Sequence, residues 1–214
     1  MTTAADNART RLATRLAFLS GGFSLASWAP LVPFAKTRIG LDDAGLGVVL
    51  LSLGIGSVVV MPLTGMLIAR WGSKPMILGG GLGLVILLPV LAIANNEYLL
   101  AAALMGFGAS LGTLDVAMNV HGIEVERAVG RPMMSGFHGL FSVGGFAGAG
   151  GMTFLLSVGA TPIAGALCAS GLTLAALGLA RPRLMHAKGA PIPLVIPRGV
   201  VLLLAGLAAA AFLI

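Results

Sequence analysis

The sequence contains very little charge and few aromatic residues. Charged residues make up 9% of the 214 residues and aromatic residues 6%, whereas a soluble domain carries about 25% charge. Hydrophobic residues make up 57%, and the mean hydropathy is +1.02. These values exclude an ordinary soluble domain and predict an integral membrane protein.

Cysteine is also nearly absent, since Cys168 is the one residue of this type. A single cysteine excludes a disulfide within one chain and a zinc site built on thiolates. The glycine-rich run Gly144–Gly151 is similar to a phosphate-binding loop, but no Lys-Ser/Thr pair follows it and no strand is predicted before it. We therefore predict no metal, no cofactor and no nucleotide.

Long apolar runs make up most of the sequence, and seven of them can be identified. Each is close to the roughly 20 residues that a helix needs to cross a bilayer, and no alternating ten-residue segments of the kind found in strands are visible. The predicted fold is therefore an all-α membrane bundle. The runs are Leu16–Ala35, Leu46–Ala69, Met76–Ala94, Leu99–Val120, Phe137–Val158, Thr161–Ala180 and Gly199–Ile214.

Basic residues predict the orientation of these spans. With the N-terminus in the cytoplasm, eleven of the thirteen Lys and Arg residues lie on the inner side, as the positive-inside rule requires. We therefore expect a multi-pass protein of the inner (plasma) membrane. The net charge of +6 follows from this topology, and no nucleic-acid partner is predicted. The inner residues are Arg9, Arg11, Arg15, Arg70, Lys74, Arg127, Arg131, Arg181, Arg183, Lys188 and Arg198.

Four segments are expected: a cytoplasmic tail (1–15), a six-helix bundle (16–180), a cytoplasmic linker (181–198) and the start of a second bundle (199–214). The linker is predicted from the three prolines in Gly189–Arg198. The last run stops at Ile214 without an interfacial aromatic or a closing charge. We interpret it as a truncated seventh helix, the alternative being a half-size protein that pairs with a second copy.

Polar residues inside the fourth and fifth runs are the candidates for function. An ionisable group within a membrane span costs roughly 2.5–3.5 kcal/mol on insertion scales and is by default read as functional. Asp115 and Asn119 are four residues apart and share one helix face. His138 opens the next span, with Ser142 in the same segment, and could share a proton with Asp115. The alternatives are a carboxylate that only bridges helices and a histidine that is simply hydrated.

The first run carries Trp28, Pro30 and Pro33 near its outer end. Each proline removes a helical hydrogen bond and favours a bend. This bend could serve gating or be tolerated in packing, and Trp28 could line a cavity or anchor the span at the interface. In the fourth run, Gly108 and Gly112 have the four-residue spacing that lets another helix pack closely.

A loop after the second span resembles a known family motif. Gly65-Met-Leu-Ile-Ala-Arg70-Trp-Gly72-Ser-Lys74 is similar to the pattern Gly-x-x-x-Asp-Arg-x-Gly-Arg-Lys of the major facilitator superfamily. Gly65, Arg70, Gly72 and Lys74 match it. In the family the acidic residue takes part in a latch between two halves, and Ala69 at that position puts the latch in doubt. Gly65 would allow close helix approach, and Gly72 a positive φ.

Two further segments resemble the fucose:proton symporter branch of this superfamily, namely Asp115-Val-Ala-Met-Asn119 and His138-Gly-Leu-Phe-Ser142-Val-Gly144. That branch also has an acid in helix one, which Leu16–Ala35 lacks. The resemblance implies the N-terminal bundle of a secondary transporter, with inverted three-helix repeats around a cavity. It also implies alternating access, proton coupling and a small, sugar-like solute, with no enzymatic activity.

A hydrolase is the alternative from a different class. Gly108-Ala-Ser110-Leu-Gly112 fits Gly-x-Ser-x-Gly, and His121 or His138 could act as the base. Against this reading, the motif lies inside a predicted helix, where we expect the Ser110 hydroxyl to bond back to a carbonyl. His121 lies next to the loop that follows and is interpreted as a hydrated histidine. The charged residues of that loop are interpreted as a solvated network (Glu124, Glu126, Arg127, Arg131).

Overall fold

The computed structural model describes residues 8–188, and this part of the chain is helical with no strand. Two 3₁₀ turns, Ala29–Leu31 and Arg181–Arg183, accompany seven α-helices. These helices are α1 (Ala8–Trp28), α2 (Val32–Ile39), α3 (Asp43–Trp71), α4 (Ser73–Ile93), α5 (Glu97–Val129), α6 (Met134–Ser157) and α7 (Pro162–Ala180). Residues 189–198 of the predicted linker and the whole predicted seventh span (199–214) lie outside the described residues.

Six segments within residues 8–188 are long and apolar enough to cross a membrane. Each contains most of one predicted run, which confirms the all-α membrane fold. The largest difference is in α5, which continues to Val129 instead of ending near Val120. The apolar pattern stops where charged residues begin, but the helix ends only at Gly130, whose φ of 72° terminates it.

The α-helix of the first span is interrupted where its prolines predict a bend. It runs over Ala8–Ile39, but α1 ends at Trp28 and a 3₁₀ turn over Ala29–Leu31 leads into α2. Pro30 lies inside this turn and Pro33 in the first turn of α2, so both occupy positions where a missing N–H costs little.

The helices pair in a way that fits two three-helix repeats. The most extensive contacts are between α3 and α5, between α1 and α6, and between α4 and α5. The first span (α1) thus packs on the fifth (α6), and the fourth span (α5) packs on the second (α3). This symmetry is expected if spans one to three correspond to spans four to six. Because each repeat has an odd number of spans, the two cross the membrane in opposite directions.

Glycines bring the paired helices into backbone contact. A Cβ atom at Gly108 would lie 1.9 Å from the Leu53 carbonyl oxygen, and one at Gly56 would lie 2.0 Å from that of Met105. The spacing that predicted close packing at Gly108 and Gly112 is therefore confirmed. The interface of α1 with α6 is built in the same way. Cβ atoms at Gly22, Gly144 and Gly148 would lie at similar distances from backbone atoms of the facing helix.

The outer surface of the bundle is strongly apolar. Helices α3 and α6 are the least buried spans of the described chain, and Phe146 on α6 is 83% exposed. Such a surface suits the hydrocarbon of a bilayer rather than water. Large exposed side chains on these two helices are Val48, Leu51, Ile55, Val58, Val59, Leu63, Met66, Val143, Phe146 and Phe154.

Arg38 caps the C-terminus of α4, at the end of the bundle where α2 also ends. Its guanidinium donates to the carbonyl oxygens of Leu91 (3.0 Å), Ala92 (2.7 Å) and Ala94 (2.7 Å). These carbonyls lie at a helix C-terminus and have no intrahelical donors. Nearby, Lys36 pairs with Asp43. The basic residues of this loop are therefore engaged in local structure.

We expect Arg38→Gln to lower the free energy of unfolding by about 1–2 kcal/mol, because a neutral amide cannot satisfy three carbonyls with charge-assisted bonds. The measurement is thermal unfolding in detergent. Lys36→Gln is the control, since its ion pair with Asp43 is exposed and should contribute less to stability than the Arg38 bonds do. Equal effects of the two changes would contradict the role assigned to Arg38.

Candidate functional site

Asp115 and Asn119 form a polar pair on α5, both partly buried. The Asn119 side-chain amide donates to the Asp115 carbonyl oxygen at 2.9 Å and to its Oδ1 atom at 3.3 Å. The prediction that these residues share a face is therefore confirmed. No donor from the part of the chain that the structure describes bonds the second carboxylate oxygen of Asp115.

His138, on α6, is brought near this pair. It interacts electrostatically with Asp115, and its exposed ring packs edge-on against Phe18 with 5.2 Å between the ring centroids. Phe18 also stacks on Phe137 at 5.5 Å. Ser142 is exposed one turn further along α6, and its hydroxyl donates to the His138 carbonyl oxygen at 3.3 Å.

The arrangement combines three chemistries at one place in an otherwise apolar bundle. A carboxylate and an imidazole can both take up and release protons, and an amide can donate to or accept from a polar ligand. Trp28 is not part of the exposed surface beside them. Its ring is 4% exposed and belongs to the packed core.

The loop that matches the superfamily motif is reduced to one residue between α3 and α4. Gly72 has a φ of 84°, as predicted, and this allows the sharp reversal. Arg70 lies over the Trp71 ring at 5.4 Å, and Lys74 is in the first turn of α4. A Cβ atom at Gly65 would meet no described atom within 4 Å, so none of the described helices makes the close approach that this glycine would allow. Gly65 lies on a face of α3 that no described helix covers.

His121 is the main structural residue that the sequence did not reveal. It is fully buried, and both ring nitrogens are bonded. Nε2 accepts from the Met185 backbone N–H at 3.2 Å, so the proton is assigned to Nδ1, which lies 3.1 Å from Thr14 Oγ1. The Thr14 hydroxyl in turn donates to the Thr10 carbonyl oxygen at 3.0 Å. His121 therefore joins α1, α5 and the segment that follows α7.

That segment also binds the turn between α3 and α4. The Ser73 backbone N–H donates to the Ala187 carbonyl oxygen at 2.8 Å, and the Ser73 hydroxyl lies 3.4 Å from the Met185 carbonyl oxygen. A Cβ atom at Gly72 would lie 3.0 Å from that of His186. The start of the predicted linker is thus held to Ser73 by one backbone hydrogen bond and one from its side-chain hydroxyl.

Glu126 organises the connection between α5 and α6. One carboxylate oxygen accepts from the backbone N–H groups of Met133 (2.6 Å) and Met134 (2.8 Å). These groups lie at the start of α6, where a helix has free donors. The prediction of a solvated loop is therefore wrong for Glu126, although the Glu124–Arg127 pair is exposed as expected. The reason is a contact between two helix ends, which charge counting does not reveal.

The geometry around Ser110 does not support a hydrolase. Its hydroxyl donates to the Gly106 carbonyl oxygen of its own helix at 2.8 Å, as predicted, and a Cβ atom at Gly83 would lie 2.1 Å from it. The two nitrogens of His121 are bonded to Thr14 and Met185. Neither arrangement is that of a nucleophile and its base.

Comparison with known proteins gives three transport or membrane proteins. The chain is 49% identical to an MFS-type transporter of Yersinia pestis over 206 residues, which is 95% of this chain and 54% of that protein. It is 37% identical to a transporter of Sinorhizobium fredii over 68% of this chain and 38% of that protein. It is 33% identical to the membrane protein MosC of Rhizobium meliloti over 64% of this chain and 33% of that protein.

No protein-family profile matches the chain. The chain spans about half the length of the Yersinia relative and less of the other two. The similarity to the Yersinia protein covers all six apolar spans of the described residues and extends over almost the whole chain. Together with the bundle itself, it supports membership of the major facilitator superfamily.

Proposed function

We propose that this chain forms the first six-helix bundle of a secondary active transporter that moves a small polar solute with a proton. The observation that carries the proposal is the polar group of Asp115, Asn119 and His138 within apolar helices. A carboxylate that is partly buried at such a position is retained against its insertion cost, which favours a role in transport over a role in packing.

In this proposal Asp115 binds the coupling proton and His138 exchanges it. Asn119 and the second carboxylate oxygen of Asp115 hydrogen-bond the hydroxyl groups of a sugar-like solute. The bundle lies in the inner membrane with its N-terminus in the cytoplasm, and it rocks against a second bundle so that the site opens to either side. The additional length of the relatives is sufficient for that second bundle.

The test is uptake by proteoliposomes containing the full-length protein, with a panel of sugars and other small polar solutes and an imposed pH gradient. We expect Asp115→Asn to abolish accumulation driven by the gradient, because the amide cannot exchange a proton. Exchange of labelled for unlabelled solute should persist. Glu124→Gln, which neutralises a partly exposed carboxylate of the same helix, should transport normally. Gradient-driven uptake by Asp115→Asn at the wild-type rate would refute the coupling role.

A further inference from the structure

A cavity of about 570 Å³ lies between the start of α1 and the start of α6. Its polar lining residues include Arg15, Arg131 and Ser135, and its apolar wall includes Phe137 and Leu140. Arg15 and Arg131 both belong to segments that the sequence predicts to lie on the cytoplasmic side. The cavity is separate from the Asp115 site, which does not contribute to its lining.

The charge in this cavity is of one sign. Both charged residues in its lining are arginines, and no carboxylate is among the described lining residues. Within residues 8–188, neither guanidinium has a hydrogen-bond or ion-pair partner. The adjacent carboxylate of Glu126 is already bonded to the Met133 and Met134 amides. Within residues 8–188, both arginines of this cavity therefore lack a paired carboxylate.

We propose that this cavity binds a phosphate group between the guanidinium groups of Arg15 and Arg131. A guanidinium presents a planar fork of donors that matches phosphate oxygens, and basic pockets between membrane helices on the cytoplasmic side bind lipid headgroups. The phosphate can belong to an anionic phospholipid or to a soluble phosphate ester. The apolar wall of Phe137 and Leu140 favours the lipid, whose glycerol and acyl carbons would contact it.

This inference does not depend on the proposed transport function, because binding can be measured without uptake. The experiment is native mass spectrometry of the full-length protein in detergent. Three probes are titrated: phosphatidylglycerol, phosphatidylcholine and glycerol phosphate. We expect phosphatidylglycerol to bind more tightly than phosphatidylcholine. Its affinity should fall about fivefold in Arg15→Gln or Arg131→Gln and about 25-fold in the double variant, at about 1 kcal/mol for each charge.

Arg181→Gln is the matched control, since it removes an exposed arginine at the end of α7, outside the cavity, and should bind all probes as the wild type does. Thermal unfolding confirms that each variant is folded. Arginine-dependent binding of glycerol phosphate with an affinity equal to that of phosphatidylglycerol would identify a soluble phosphate ester as the ligand. Wild-type affinity of the double variant for both probes with a net negative charge, phosphatidylglycerol and glycerol phosphate, would overturn the proposal. A wild-type protein that prefers neither of them over the zwitterionic phosphatidylcholine would also overturn it.

Discussion

Replacing Gly56 by alanine is expected to lower the free energy of unfolding by about 3 kcal/mol or more, the upper part of the range for overpacked positions. The new Cβ atom would lie 2.0 Å from the Met105 carbonyl oxygen. Because the obstacle is backbone, no rotamer change can relieve it, and α3 must move away from α5. Every contact along that interface would weaken as a result.

The matched control is Gly54→Ala, two residues earlier on the same helix, where a Cβ atom would meet no described atom within 4 Å. Both variants are compared with the wild type by thermal unfolding in detergent. Gly54→Ala should be neutral or slightly stabilising, since alanine favours helix. Gly148→Ala and Gly150→Ala provide a second pair on α6, in which a Cβ at Gly148 would lie 2.2 Å from the Phe23 carbonyl oxygen. Similar melting temperatures within each pair would contradict this account of the interfaces.

His121→Phe is expected to lower the free energy of unfolding by about 2–3 kcal/mol, because it removes one partner from two hydrogen bonds in a buried site. The phenyl ring is larger than imidazole, so no cavity is left, and the loss reflects the unpaired Met185 N–H and the Thr14 oxygen, which loses a donor but keeps its bond to Thr10. The segment after α7 would keep its bond between Ser73 and Ala187 but lose its attachment to α5.

Limited trypsin digestion measures that attachment directly. Cleavage after Arg183 should be faster in His121→Phe than in the wild type, because the following residues leave the bundle more often. His186→Ala is the control, as it changes an exposed histidine of the same segment. If the two variants are cleaved at the wild-type rate and unfold at the wild-type temperature, His121 does not hold the segment.

The positions of the six spans were predictable from the sequence because they depend on local quantities. Whether an apolar run can span a bilayer depends on its own length, and not on the helices that it contacts. The helix interruption at Pro30 and the positive φ at Gly72 were predictable for the same reason, since each depends on the covalent structure of one residue. The shared face of Asp115 and Asn119 needed only the period of a helix.

Contacts between helices were decided by the tertiary structure. Gly56 and Gly65 are both glycines of α3, yet only Gly56 has a described backbone atom against it, and nothing in the local sequence separates them. The residues that follow His121 in the sequence have the composition of a hydrated loop. The burial of His121 follows from the placement of Thr14 and Met185, which are 107 and 64 residues away along the chain. Such partners are set by which helix faces meet, and those faces are selected by the packing of the whole bundle rather than by the residues beside them.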